Sequence, residues 1–99
     1  MLTDKVITDY SNPQKAQKAA FKYLGNNGKL FLSTRKNKKY MIRDKNDKWV
    51  HFGQMGYEDF TKHQDDERRK KYLKRSMNIR GNWKENPYSP NNLSINILW

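Results

Sequence analysis

A chain of 99 residues accommodates one domain and little more, so residues 1–99 are expected to fold as a single basic unit. Only 34% of the residues are hydrophobic, but 13% are aromatic, which predicts a thin core built on large rings. Lysine and arginine number 21 against 10 acidic residues, a net charge of +11 that attracts polyanions, and the absence of cysteine excludes disulfides, thiolate metal sites and thiol catalysis.

The opening stretch, Met1 to Tyr10, is too poor in apolar residues to read as an export leader. No run approaches the ~20 apolar residues of a membrane span. Ser11-Asn12-Pro13 reads as a helix start, a capping side chain followed by proline. From Gln14 to Leu24 the apolar residues Ala16, Ala19, Ala20, Tyr23 and Leu24 recur at threes and fours, with Lys15, Lys18 and Lys22 on the wet side. Gly25 ends this helix, and Asn26-Asn27-Gly28 turns the chain.

Three strand signals follow: Leu30-Phe31-Leu32, then Lys39 to Arg43, then Trp49-Val50-His51-Phe52 closed by Gly53. Asp44 to Asp47 is a turn cluster, and Arg35 to Lys39 forms a basic hairpin tip, so a small antiparallel meander is expected. A helix is predicted from about Asp65 to Met77, with acids in its first turn, bases behind them, and Tyr72, Leu73, Ser76 and Met77 buried. Gly81 breaks the pattern, and residues 82–90 read as irregular. Ser89-Pro90 looks like another capped start, and Leu93, Ile97, Leu98 and Trp99 give the last segment an apolar face that should dock on the core. The expected class is α+β: an N-terminal helix, a small antiparallel β-meander and C-terminal helices.

The chemistry-bearing residues are mostly cationic. His51 and His63 are the sole histidines. His63 stands near Asp59, Asp65 and Asp66, which would allow a metal or a general base, but the spacing matches no zinc or calcium motif. No phosphate-binding glycine loop and no nucleophile elbow is present, so no catalytic residue, metal site or cofactor is assigned. Three basic clusters remain: Arg35, Lys36, Lys38 and Lys39 at the hairpin tip; Arg68, Arg69, Lys70, Lys71, Lys74 and Arg75 on the predicted helix; and Lys15, Lys18 and Lys22 on the first helix. Arg68, Lys71 and Arg75 share one helical stripe, which suits a phosphate backbone. Among the aromatics, Trp83 is expected to be exposed for stacking, since it sits among Arg80, Asn82 and Lys84.

Several blocks carry a resemblance. They are Lys39-Tyr40-Met41-Ile42, Lys48 to Gly53, Tyr57 to Asp65, Glu67 to Arg75, Asn82-Trp83 and Tyr88 to Trp99. From Lys39 onward the chain resembles a family of small basic proteins of nucleocytoplasmic large DNA viruses, the giant viruses. That resemblance implies a virus that replicates or packages DNA in a eukaryotic cell, hence a location in the virion or infected host cell; it implies no activity. The N-terminal half is similar in layout alone to the archaeal chromosomal protein of the MC1 type, a small DNA-bending monomer, from which the long helix and the apolar tail depart.

The expected function is sequence-nonspecific binding of nucleic acid, DNA over RNA, in compaction, packaging or replication of a viral genome. Phosphates would be met by Arg35, Lys36, Lys38, Lys39, Arg68, Arg69, Lys71 and Arg75, with Trp83 stacking. The alternatives are a minor structural or interaction protein of the virion and a metal-dependent nuclease built on His63, Asp59 and Asp65.

Overall fold

The structure, a computed structural model, describes residues 7–99; residues 1–6, most of the stretch read as lacking an export leader, lie outside the described residues. Helix α1 covers Pro13–Leu24. Asn12 caps it by accepting from the Lys15 amide at 3.2 Å, and Pro13 occupies the first turn, where its missing N–H costs nothing. Ala16 and Ala20 face inward and are fully buried, while Lys15, Lys18 and Lys22 are exposed. Gly25, at φ +64°, lets the chain leave the helix. A 3-10 turn, Gly25–Asn27, then brings Gly28 against the helix so closely that a Cβ there would lie 2.3 Å from the Ala20 carbonyl oxygen. Gln17 ties this crossing down. Its amide donates to the Gly28 carbonyl at 2.7 Å and its oxygen accepts from the Leu30 amide at 2.9 Å.

Strands β1 (Phe31–Leu32), β2 (Lys38–Arg43) and β3 (Trp49–Gln54) form one antiparallel sheet in the order β1-β2-β3. The register pairs Phe31 with Met41, Met41 with His51, and Arg43 with Trp49; between these lie Leu32 with Tyr40, Tyr40 with Phe52, and Ile42 with Val50. Directly opposed residues share a face and alternate residues change face. One face therefore presents Leu32, Tyr40, Ile42, Val50 and Phe52 to the core. The other presents Phe31, Met41, Arg43, Trp49 and His51. The third strand does not close at Gly53 as expected: Gly53 takes φ +82° within the strand, and pairing resumes between Gln54 and Lys38.

A short helix α2 (Phe60–His63) leads to α3 (Asp66–Met77), capped by Asp65, whose carboxylate accepts from the Glu67 and Arg68 amides. Ser76 is buried and Tyr72 and Leu73 are half-buried, but Met77, expected inside, is 46% exposed. After a 3-10 turn (Trp83–Glu85), Ser89 caps α4 (Pro90–Leu93) by accepting from the Asn92 amide, and a π-helical stretch, Ser94–Leu98, completes the chain. Asn92 organises the stretch read as irregular: its amide donates to the carbonyls of Trp83 and Asn86, both at 2.9 Å.

The core consists of Ile7, Ala16, Ala20, Tyr40, Ile42, Phe52, Tyr88, Leu93, Ile97 and Leu98. The tail thus docks on α1 and the inner sheet face as its apolar spacing predicts. The architecture is α+β, with an N-terminal helix, an antiparallel meander and C-terminal helices. No helix among the described residues is long and apolar enough to cross a membrane.

Candidate nucleic-acid interface

The structure divides the residues expected to meet phosphate into exposed and committed ones. Lys39 is committed. Its side chain is 2% exposed, and its ammonium donates to the Tyr57 carbonyl at 2.6 Å, the Asp59 carboxylate at 3.0 Å and the Tyr10 carbonyl at 3.2 Å. It cannot reach a ligand, so its assignment to the hairpin-tip cluster is corrected. The physical reason is coverage: Tyr57 and Asp59 pack over the Lys39 side chain and take its ammonium, whereas the neighbouring Lys38 in the same strand stays half-exposed. Burial pushes the Lys39 pKa down while Asp59 pushes it back up. The other oxygen of Asp59 accepts from the Thr61 hydroxyl. With the Thr61 proton so placed, Ser11 donates to Thr61 at 3.0 Å and Tyr40 to Ser11 at 2.7 Å, a buried chain that ends on a paired carboxylate. Burial is also the main cause that raises the Tyr40 pKa.

Arg69 is the second committed cation. Its Nε donates to the Trp99 carbonyl at 2.7 Å, and its guanidinium lies 5.4 Å from the Phe60 ring centroid. It fastens the tail to α3 and α2. Trp83 is likewise occupied: it is half-buried, its indole N–H donates to the Ile79 carbonyl at 2.7 Å, and Lys84 lies 5.5 Å from its ring centroid. The aromatic face expected of Trp83 is instead offered by Phe31 and Trp49, which are 41% and 39% exposed.

These two rings meet edge to face at 5.4 Å on the outer face of the sheet. The Arg43 guanidinium lies 4.7 Å from the Trp49 centroid and the Lys29 ammonium 5.5 Å from that of Phe31. Together with Asn27 and Met41 they line a shallow open concavity. Arg43 also reaches Asp47 at 3.5 Å, but both are exposed, so that pair is weak. The same face continues through His51 into the hairpin turn. His51 Nδ1 is 2.7 Å from the Ser33 hydroxyl, which also accepts from the Arg35 amide. Burial first, then Arg35 and Lys38, push the His51 pKa down, so these cations stand within electrostatic reach of the platform. Arg35 and Lys36 are exposed and Lys38 is half-exposed. Sequence reasoning missed this surface, although the turn at Asp44–Asp47 sets the register of β2 and β3 and places Arg43 opposite Trp49.

A second cationic surface lies on α3. Arg68, Lys71 and Arg75, three to four residues apart, line one side of a pocket of about 410 Å³ whose other walls include Gln54, Tyr57, Leu98 and Trp99. Tyr72 stacks on Trp99 at 4.2 Å and 9° between planes, and His63 packs 5.1 Å from the Trp99 ring. His63 Nδ1 accepts from the Asp65 amide, and its Nε2 is buried without a hydrogen-bond partner. Burial first, then Arg68, push its pKa down, against the opposing pull of Glu58, Asp65 and Asp59. Among the described residues no three His, Asp or Glu side chains stand together as metal ligands. The Asp59 carboxylate is taken by Lys39 and Thr61, which removes it from the metal set considered with His63 and Asp65.

Residues 28–76 match a family described as of unknown function, DUF5754. No curated protein and no solved structure matches the chain. The matched segment holds the whole sheet and α3 up to Ser76, and therefore the platform residues and both exposed cation sets. It leaves out α1 and the apolar tail that complete the core.

Proposed function

We propose that the protein binds nucleic acid without sequence specificity, DNA in preference to RNA, through the outer sheet face and the adjoining turn. The observation that carries this reading is the exposed Phe31–Trp49 pair flanked by Arg43 and Lys29 and continuous with Arg35, Lys36 and Lys38. Exposed rings offer π-faces to unstacked bases of any sequence, and the surrounding cations meet the phosphates between them. Few of these charges are neutralised internally. Among the described residues Arg35, Lys36 and Lys38 have no carboxylate partner. Arg68, Lys71 and Arg75 add a second phosphate-facing stripe. The resemblance from Lys39 onward supports a setting in which such binding serves compaction, packaging or replication of a viral genome, in the virion or the infected cell.

Fluorescence anisotropy with labelled single-stranded and duplex DNA, at one salt concentration, tests this. Trp49→Ala together with Phe31→Ala should weaken single-strand binding at least tenfold, since base–aromatic stacking contributes roughly 1–3 kcal/mol per base. Both rings are part-exposed, so the variant should keep most of its thermal stability. Equal affinity of variant and parent for single strands would remove the platform from the interface. Failure of the parent to bind either form at low salt would overturn the reading and leave the cations to an acidic protein. Cleavage appearing with Mg²⁺ would favour a nuclease.

A further inference from the structure

We infer that the pocket between α3, the end of β3 and the C-terminal stretch is a separate binding site for a phosphate monoester carried on a flat apolar body, the chemistry of a nucleoside monophosphate. The site is distinct from the outer sheet face and does not depend on that face binding nucleic acid.

Charge defines one side of it. Arg68, Lys71 and Arg75 point into the same space from successive turns of α3. One carboxylate in the lining, Glu58, pairs with Arg68 at 3.3 Å, and the Lys39 beneath is already matched by Asp59. Lys71 and Arg75 thus face the pocket with no carboxylate partner among the described residues. Two cations lining one pocket suit a dianionic terminal phosphate better than the single charge of a diester linkage. Arg75 is also held in place, with its guanidinium 5.7 Å from the Tyr72 ring centroid.

The other side is mainly apolar: Leu98, Tyr72 and Trp99 line it, the two rings stacked on each other, with Gln54, Tyr57 and Ser94 among them. Trp99 is held by its packing against His63 and by Arg69 on its carbonyl, so it is in place before any ligand arrives. Gly53 lets Leu98 and Lys39 pack closely beneath the pocket, for a Cβ there would meet the Leu98 side chain at 2.9 Å and that of Lys39 at 3.1 Å. At about 410 Å³ the pocket falls within the roughly 300–1,000 Å³ of small-molecule sites. A bare phosphate would leave the apolar wall uncovered, and an uncharged aromatic would leave the cations unused. A ligand with both parts uses both walls. It can arrive as a free nucleotide or as the phosphorylated end of a strand.

The experiment is a titration followed by amide and indole N–H resonances, with adenosine 5′-monophosphate, adenosine and inorganic phosphate as separate probes. The nucleotide should move the Trp99 indole and bind about tenfold tighter than either fragment. Lys71→Ala with Arg75→Ala, both exposed, should lose at least tenfold of that affinity while keeping the parent melting temperature. Phe31→Ala with Trp49→Ala should bind the nucleotide as the parent does. A 5′-phosphorylated oligothymidylate compared with its 5′-hydroxyl form, in the Phe31→Ala, Trp49→Ala background, separates the two sources. Tighter binding of the phosphorylated strand than of its 5′-hydroxyl form assigns the pocket to strand ends, and equal binding of the two assigns it to free nucleotide. No shift at Trp99, or equal nucleotide affinity in the Lys71/Arg75 variant, overturns the proposal whatever the sheet face does.

Discussion

Lys39 shows how one residue can carry the right charge in the wrong place. In the sequence it closes a basic run; in the structure its ammonium joins the turn after β3 to the segment before α1 through Tyr57, Asp59 and Tyr10. Such an ion pair contributes little net stability when intact, because both charges have been desolvated, but removing one partner leaves the other buried and unpaired. Lys39→Met should therefore destabilise the fold by about 3–5 kcal/mol in urea denaturation. Lys39→Met combined with Asp59→Leu should recover much of that loss, because no charge is then stranded. A single variant as stable as the parent would show that Asp59 finds another partner or takes up a proton. Trp83 and Trp49 make a similar contrast. Both sit among cations in sequence, but the Trp83 indole N–H is taken by the Ile79 carbonyl, while Trp49 stays 39% exposed on the outer sheet face.

At the scale of elements, the tail is the piece on which the rest depends. Leu93, Ile97 and Leu98 are each almost wholly buried against α1 and the sheet. Large-to-small changes at such positions cost about 2–5 kcal/mol each, against a total stability of roughly 5–15 kcal/mol for a domain. Deleting residues 93–99 should leave the chain unfolded at 25 °C by circular dichroism, and Leu98→Ala alone should lower the melting temperature clearly. A truncated chain that melts with the parent would mean that the tail is available to a partner. Most elements were legible because their signals are local. Asn12-Pro13, Asp65 and Ser89-Pro90 act as caps where they stand, and the period of Ala16 and Ala20 needs no distant contact. The short helix Phe60–His63 and the passage of β3 through Gly53 were not legible. A single turn carries no periodicity, and a glycine that ends a strand looks the same as one that bends it.

For the whole molecule, the outer dimensions of 33 × 32 × 23 Å span about one turn of duplex, ~34 Å. With Lys39 and Arg69 committed to the fold, six of the eight cations first assigned to phosphate remain: Arg35, Lys36, Lys38, Arg68, Lys71 and Arg75. If all six act, log K should fall against log salt with a slope of roughly −5 on duplex DNA. A flat response would remove phosphate binding as the source of affinity. Matched triple alanine variants rank the two surfaces. Replacing Arg35, Lys36 and Lys38 should cost more affinity per charge than replacing Arg68, Lys71 and Arg75, because the turn adjoins the Phe31–Trp49 platform and Arg68 is already shared with Glu58. A larger loss from the helix variant would make α3 the main surface.

The sequence by itself determined the class, the charge, the caps and which segments bury apolar residues, since each follows from composition or from neighbours within a few positions. Only the tertiary structure decided which cations are available and which aromatics are exposed. Those properties depend on what packs over a residue: the 57–59 segment over Lys39, the Trp99 carbonyl beside Arg69, and a sheet face that leaves Phe31 and Trp49 part-exposed. These contacts join residues far apart in the chain, where local pattern carries no information about who the neighbour will be.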